Sequence, residues 1–245
     1  MSKVVLIPGA YSSKHTWNYF KDQLPKNADV LLPEYCCEHP LDKVVDDLAK
    51  FVAENNPSKE DVMLVGHSLG GVISFALADK IPEVKKVVAI ASPFGGIMIS
   101  RWMNHVSFTM SALTTFANQI PYLKQRTTDG INAYRTFWCN IHPDNSVLRE
   151  VRSKPLECES VVFVMEHKGM NIWLEPSDGT VTVKSQMGLG DRKNLTYVKV
   201  EGNHMDGVLN STVATAASNF LFPRPVSFPF FPQRKEKVLT DQLVS

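Results

Sequence analysis

Four apolar residues, Val62-Met-Leu-Val65, run directly into Gly66-His-Ser-Leu-Gly-Gly71, and the chain then stays largely apolar until Pro82. A short apolar run stopped by glycine reads as a buried strand, and the segment Ser68 to Ile81 reads as the helix that follows it. The same alternation recurs along the chain. Lys3 to Pro8, Ala28 to Pro33, Asp61 to Gly66, Val84 to Ala91, Ser160 to Met165 and Leu195 to Val200 are predicted strands. Between Pro40 and Asn56 the apolar residues Leu41, Val44, Val45, Leu48, Phe51 and Val52 recur every three or four positions, which predicts an amphipathic helix. Asp206 to Phe220 predicts a last helix, ending before Pro223. Strands alternating with helices imply an α/β fold, a mostly parallel sheet covered on both faces.

The chain has 245 residues, of which 44% are hydrophobic, enough for one full core. One connection exceeds a plain crossover: about 65 residues separate Ser92 from Ser160, where a dozen suffice. Inside it Trp102, Val106, Met110, Leu113, Ala117 and Ile120 form one apolar helical stripe, and Ile131, Tyr134, Phe137 and Trp138 a second cluster. A helical cap over the sheet edge is expected at about 95–155, within a domain of 1–222, the alternative being that these residues are core of the same domain. The segment 223–245 is a tail rich in proline and phenylalanine, expected to be a packed strap, a disordered end or an apolar contact.

Net charge is +1, with 26 basic and 25 acidic residues, so there is no basic field to hold nucleic acid or an anionic membrane. The apolar run at the start, Val4 to Ile7, ends at Pro8, and no stretch approaches the ~20 apolar residues of a spanning helix; a cytoplasmic location is expected. Cys36, Cys37, Cys139 and Cys158 lack C-x-x-C spacing, which makes a poor disulfide or zinc framework. No metal and no cofactor is expected, and nothing in the sequence indicates an oligomeric state.

A serine lifted on a tight strand-to-helix turn is a candidate nucleophile, because the helix start adds free N–H groups and partial positive charge. Ser68 needs a base to take its proton and a carboxylate to hold that base in one tautomer. His204, in Glu201-Gly-Asn-His-Met-Asp206, follows the last predicted strand on the same sheet edge. His15, His39, His105, His142 and His167 read as structural or surface residues, and His67 as packing. Asp178, in Ser177-Asp-Gly-Thr-Val181, occupies an exposed-turn signature one strand earlier, with Glu166 and Glu175 as rivals and Asp206 as a helix cap. The N–H of Leu69 is one candidate oxyanion donor. The loop Ile7-Pro-Gly-Ala-Tyr11 supplies the other, Ala10 first and Tyr11 as the alternative.

These segments, LIPGA, GHSLGG, ASPFGG, SDGTV and GNH in that order, resemble the lipase and esterase branch of the α/β-hydrolase superfamily over residues 1 to about 221. ASPFGG is similar to the G-T-P-H-x-G segment of lipases, which implies a lid or cap after it. The resemblance implies a triad of Ser68, Asp178 and His204 and an oxyanion hole from the amides of Ala10 and Leu69. It also implies a sheet of about six strands, as in compact members lacking the two leading strands. Pro8 stands where the family usually has His. The expected activity is cofactor-free hydrolysis of a small-molecule carboxylic ester with an apolar acyl chain, Tyr11, Trp102, Met103 and Met110 contacting substrate. A thioesterase, an acyltransferase and a non-catalytic binder of small ligands are the alternatives.

Overall fold

The computed structural model describes residues 2–97, 135–169, 171–172 and 175–223. Most of the expected cap, including Trp102, Met103 and Met110, and the tail beyond residue 223 lie outside the described residues. A six-stranded sheet holds β1 (Lys3–Ile7), β2 (Asp29–Leu31), β3 (Val62–His67), β4 (Val84–Ile90), β5 (Glu159–Glu166) and β8 (Leu195–Glu201) in the order β2-β1-β3-β4-β5-β8. Every pairing in it is parallel. A separate two-stranded hairpin, β6 (Asn171–Ile172) and β7 (Glu175–Pro176), follows β5.

The strands read as continuous apolar runs because both faces of the sheet are covered. Alternate residues serve opposite sides. Val5, Leu64, Val87 and Val162 face the helices α2 (Leu41–Asn55) and α3 (Leu69–Lys80). Val4, Val65, Val88 and Phe163 face Trp17, Phe20 and the C-terminal helix, as the two-residue period of a strand requires. Trp17 ends a 3-10 turn, Lys14–Trp17, and Phe20 lies in α1 (Asn18–Asp22).

Two differences from the sequence reading have local causes. The last helix is split into α6 (Asp206–Leu209) and α7 (Ser211–Leu221), because Asn210 adopts an extended conformation and its side chain accepts from the N–H groups of Thr212 and Val213. Asparagine competes with the helix backbone in this way and starts a new helix instead of continuing the old one. The second difference is α4 (Ser146–Ser153), capped by Asn145, which carries Val147, Leu148 and Val151 into the core shared with α3. The described end of the long insertion is thus part of the layer covering the sheet. Among the described residues the cysteines form no disulfide, and no helix is long and apolar enough to cross a membrane.

Candidate active site

The carboxyl ends of the central strands carry the polar groups. At the end of β3 the chain reverses into α3 within one residue, Ser68, at φ 53 and ψ −123. A non-glycine residue at positive φ in this region is strained by about 1–3 kcal/mol, so the surroundings must impose it. They do so by close packing. A Cβ on Gly66 would lie 2.2 Å from the carbonyl oxygen of Gly70, and one on Gly70 2.3 Å from that of Ile7, so neither position admits a side chain without a shift. The Ser68 N–H donates to the Ile90 carbonyl at 2.8 Å, which anchors the turn to β4.

Leu69 is the first residue of α3, so its N–H has no intrahelical partner. The loop after β1 runs beside the turn: a Cβ on Gly9 would stand 3.1 Å from Ser68 Cβ. Ala10 is half-buried, and Tyr11, at φ 54, is 65% exposed. The Tyr11 ring lies 5.0 Å from that of Phe137, and its hydroxyl donates to Glu38 Oε1 at 3.4 Å.

Asp178 follows β7 in a turn made possible by Gly179 at φ 92 and is buried. Its Oδ1 accepts from the N–H groups of Thr180 at 2.8 Å and Val181 at 2.7 Å. Its Oδ2 accepts from His204 Nδ1 at 2.7 Å and from Gln186 Nε2 at 3.3 Å. An ionised carboxylate only accepts, so Nδ1–H is the donor, and in the neutral ring this leaves the lone pair on Nε2. The backbone N–H of His204 donates to the Asp178 carbonyl at 2.9 Å, a second tie between the two loops. Of the rivals, Glu175 stands 3.6 Å from Lys184 Nζ. The carboxylate of Asp206 accepts from the Asn203 N–H at 2.7 Å, closing the turn that presents His204.

His67 joins the two sides of this edge. It is buried, and its Nε2–H donates to the His204 carbonyl at 2.9 Å, with the two rings 4.8 Å apart. Among the described residues its Nδ1 has no partner. Burial, followed by repulsion from His204, lowers its pKa from 6.5 to about 4, so the ring is neutral near pH 7.

The model of the Alpha/beta hydrolase family matches residues 4–183. The chain belongs to that family. Similar solved structures include a lipase-esterase related protein from Clostridium acetobutylicum, at 14% identity and a TM-score of 0.61, with 89% of this chain and 94% of that one covered. An alpha/beta hydrolase enzyme, MGS-M2, from a Medee basin deep-sea metagenome library matches at 16% identity and 0.58, covering 94% and 91%. RedJ, a thioesterase from the prodiginine biosynthetic pathway in Streptomyces coelicolor, matches at 12% and 0.54, covering 90% and 85%. At such identities the likeness is one of fold. No curated protein matches the sequence.

This member of the family also carries a groove of about 930 Å3, lined by Phe75, Ile81, Val84, Cys158 and Glu159. Val84 and Glu159 begin β4 and β5, so it lies at the amino edge of the sheet, opposite Ser68. Ligands of open parallel sheets bind outside the carboxyl ends, which favours the Ser68 edge as the site. Among the described residues no group of three His, Cys, Asp or Glu is placed to hold a metal. Sequence reasoning missed Gln186 and the hydrogen bond of His67. His67 bonds the backbone of His204 and Gln186 that of Met165, backbone atoms distant in sequence for which residue spacing offers no signal.

Proposed function

We propose that this hydrolase cleaves carboxylic esters through Ser68, His204 and Asp178 by way of an acyl-enzyme. The observation that carries the reading is the Ser68 backbone at φ 53, ψ −123, on the same sheet edge as a histidine whose Nδ1 is held 2.7 Å from a buried carboxylate. Ser68 Oγ attacks the carbonyl carbon while His204 Nε2 takes its proton. Asp178 steadies the imidazolium. The amides of Ala10 and Leu69 receive the negative oxygen, a contribution of about 10²–10³ in turnover for each such donor. His204 returns the proton to the leaving alcohol, and water then repeats the sequence on the acyl-enzyme.

An apolar acyl chain is favoured because Tyr11, two residues past Gly9 in the loop that runs beside Ser68, is 65% exposed and Met205, next to His204, is 41% exposed. Exposed apolar side chains bordering a reactive group supply burial that only a substrate completes. The test is hydrolysis of p-nitrophenyl esters from acetate to palmitate, with Ser68→Ala alongside and a fluorophosphonate to label Ser68. Loss of activity of about 10⁶-fold in the variant and labelling of Ser68 alone support the reading. Equal activity in the variant overturns it. Activity confined to acyl thioesters would retain the triad and replace the substrate class.

A further inference from the structure

Gln186, the last residue of α5 (Val183–Gln186), has no exposed surface. A primary amide offers two donors and one acceptor oxygen, and burial requires that all be used. Oε1 accepts from the Met165 N–H at 2.8 Å, and Nε2 donates back to the Met165 carbonyl at 2.9 Å. Nε2 also reaches the Val181 carbonyl at 3.2 Å and Asp178 Oδ2 at 3.3 Å.

The place of these contacts gives them meaning. The pairing of β4 with β5 ends at Ile90 opposite Phe163, and Ala91 N–H makes the last bond, to the Phe163 carbonyl. Two residues further along β5, the backbone of Met165 faces the same side, where β4 has already ended. The amide of Gln186 takes up the position of the missing strand neighbour, matching one N–H and one C=O as a peptide group would. On its other side β5 still pairs with β8, Glu166 opposite Glu201, and the Gly202 N–H donates to the Glu166 carbonyl at 3.0 Å. The loop that carries His204 leaves β8 at Glu201 and is therefore tied to the same end of β5.

We propose that Gln186 is a positioning residue: by pairing with Met165 and donating to Asp178, it ties the carboxylate to the end of β5 and so sets its bond to His204. The assignment rests on the reading of His204 as base and Asp178 as its partner. Without the amide, Asp178 Oδ2 keeps, among the described residues, only the bond from His204, and the turn carrying it loses one of its ties to the end of β5, the bond from the His167 N–H to the Ser177 carbonyl at 2.9 Å remaining. Misplacement of a catalytic group falls on turnover more than on substrate binding.

The test uses the full chain with Gln186→Met, near in size and unable to donate, and Gln186→Glu, which keeps an acceptor for the Met165 N–H. Two readouts separate positioning from simple support of the fold. The first is the split between kcat and KM for the preferred p-nitrophenyl ester, with kcat expected to fall about tenfold or more at unchanged KM. The second, independent of turnover, is the downfield Nδ1–H resonance of His204 in protein with isotope-labelled histidine, expected to shift or broaden in both variants. Wild-type kcat and an unmoved resonance in either folded variant would overturn the proposal. If neither variant folds, Gln186 is a determinant of the fold and the positioning role is rejected. Should Ser68 prove inert to fluorophosphonate, the ester hydrolase reading fails on its own, and the resonance still decides whether Gln186 orients the Asp178–His204 pair.

Discussion

Lowering the pH should destabilise this protein through His67. The ring is buried, its Nδ1 has no partner among the described residues, and its Nε2–H already serves the His204 carbonyl. Protonation would keep that bond and add a buried charge, so the effect falls on stability and leaves the contact in place. Folding lowers the pKa from 6.5 to about 4, burial being the larger cause and His204 the second. The unfolded chain therefore binds a proton at a higher pH than the folded one, and stability rises with pH wherever that is so. Above pH 6.5 the group contributes nothing; the loss grows as pH falls toward 4 and is complete below it. The full loss is about 3 kcal/mol, at a limiting slope of about 1.4 kcal/mol per pH unit. That is a large share of the 5–15 kcal/mol by which domains are stable.

Other groups titrate in the same range, so the measurement must be a difference. Urea unfolding followed by tryptophan fluorescence between pH 4 and 8 should be compared for wild type and His67→Gln. Glutamine keeps a donor for the His204 carbonyl and cannot titrate. The wild type should lose about 3 kcal/mol more than the variant between pH 7 and 4. Parallel curves for the two proteins would refute the account, because the buried imidazole would then carry no cost on protonation.

Asp178→Asn should lower kcat about 10⁴-fold with little change in Tm, read from ester hydrolysis and thermal unfolding, because the amide can hold His204 in the wrong tautomer. Gly66→Ala places a Cβ 2.2 Å from the Gly70 carbonyl oxygen. It should cost at least about 1–3 kcal/mol in urea unfolding and slow fluorophosphonate labelling of Ser68. Asn140→Ala removes an acceptor for the Leu41 N–H and donors to the carbonyls of Cys37 and His39. About 3 kcal/mol and a Tm fall of roughly 6–12 °C are expected, with kcat at 25 °C nearly unchanged.

The sheet was legible because each of its strands is a short apolar run bounded by glycine, proline or charge. Their ends shift by a residue or so: Asp61 to Gly66 is observed as Val62–His67, since hydrogen bonding, and not apolarity, decides where a strand stops. The break at Asn210 was written in Asn210-Ser211-Thr212 but hidden by an apolar period that continues across it. That Asp178 and His204 meet at one edge was open to the sequence because each lies in a loop past a strand-like run, and the parallel topology brings such loops together. Gln186 could not be found this way. Its partners are the backbone of Met165 and Val181 together with the Asp178 carboxylate, and a bond to backbone constrains no residue type at the far end.

That asymmetry bears on how the edge is held. The loop after β1 is tied by the Tyr35 hydroxyl to the Pro8 carbonyl at 2.9 Å, and the His204 loop by His67 to its own carbonyl. The Asp178 turn is tied by Gln186 to Met165, and the segment before α2 by Asn140 to Cys37 and His39. In each case a side chain from one element fixes the backbone of another. Such ties fix where a loop runs while leaving its own side chains free to vary. A sheet end fixes the origin of each loop, but a loop of several residues has many low-energy paths from that origin. The donors at Tyr35, His67, Gln186 and Asn140 select one path each. The precision of the Ser68 edge therefore resides as much in these four residues as in the groups that would meet a substrate.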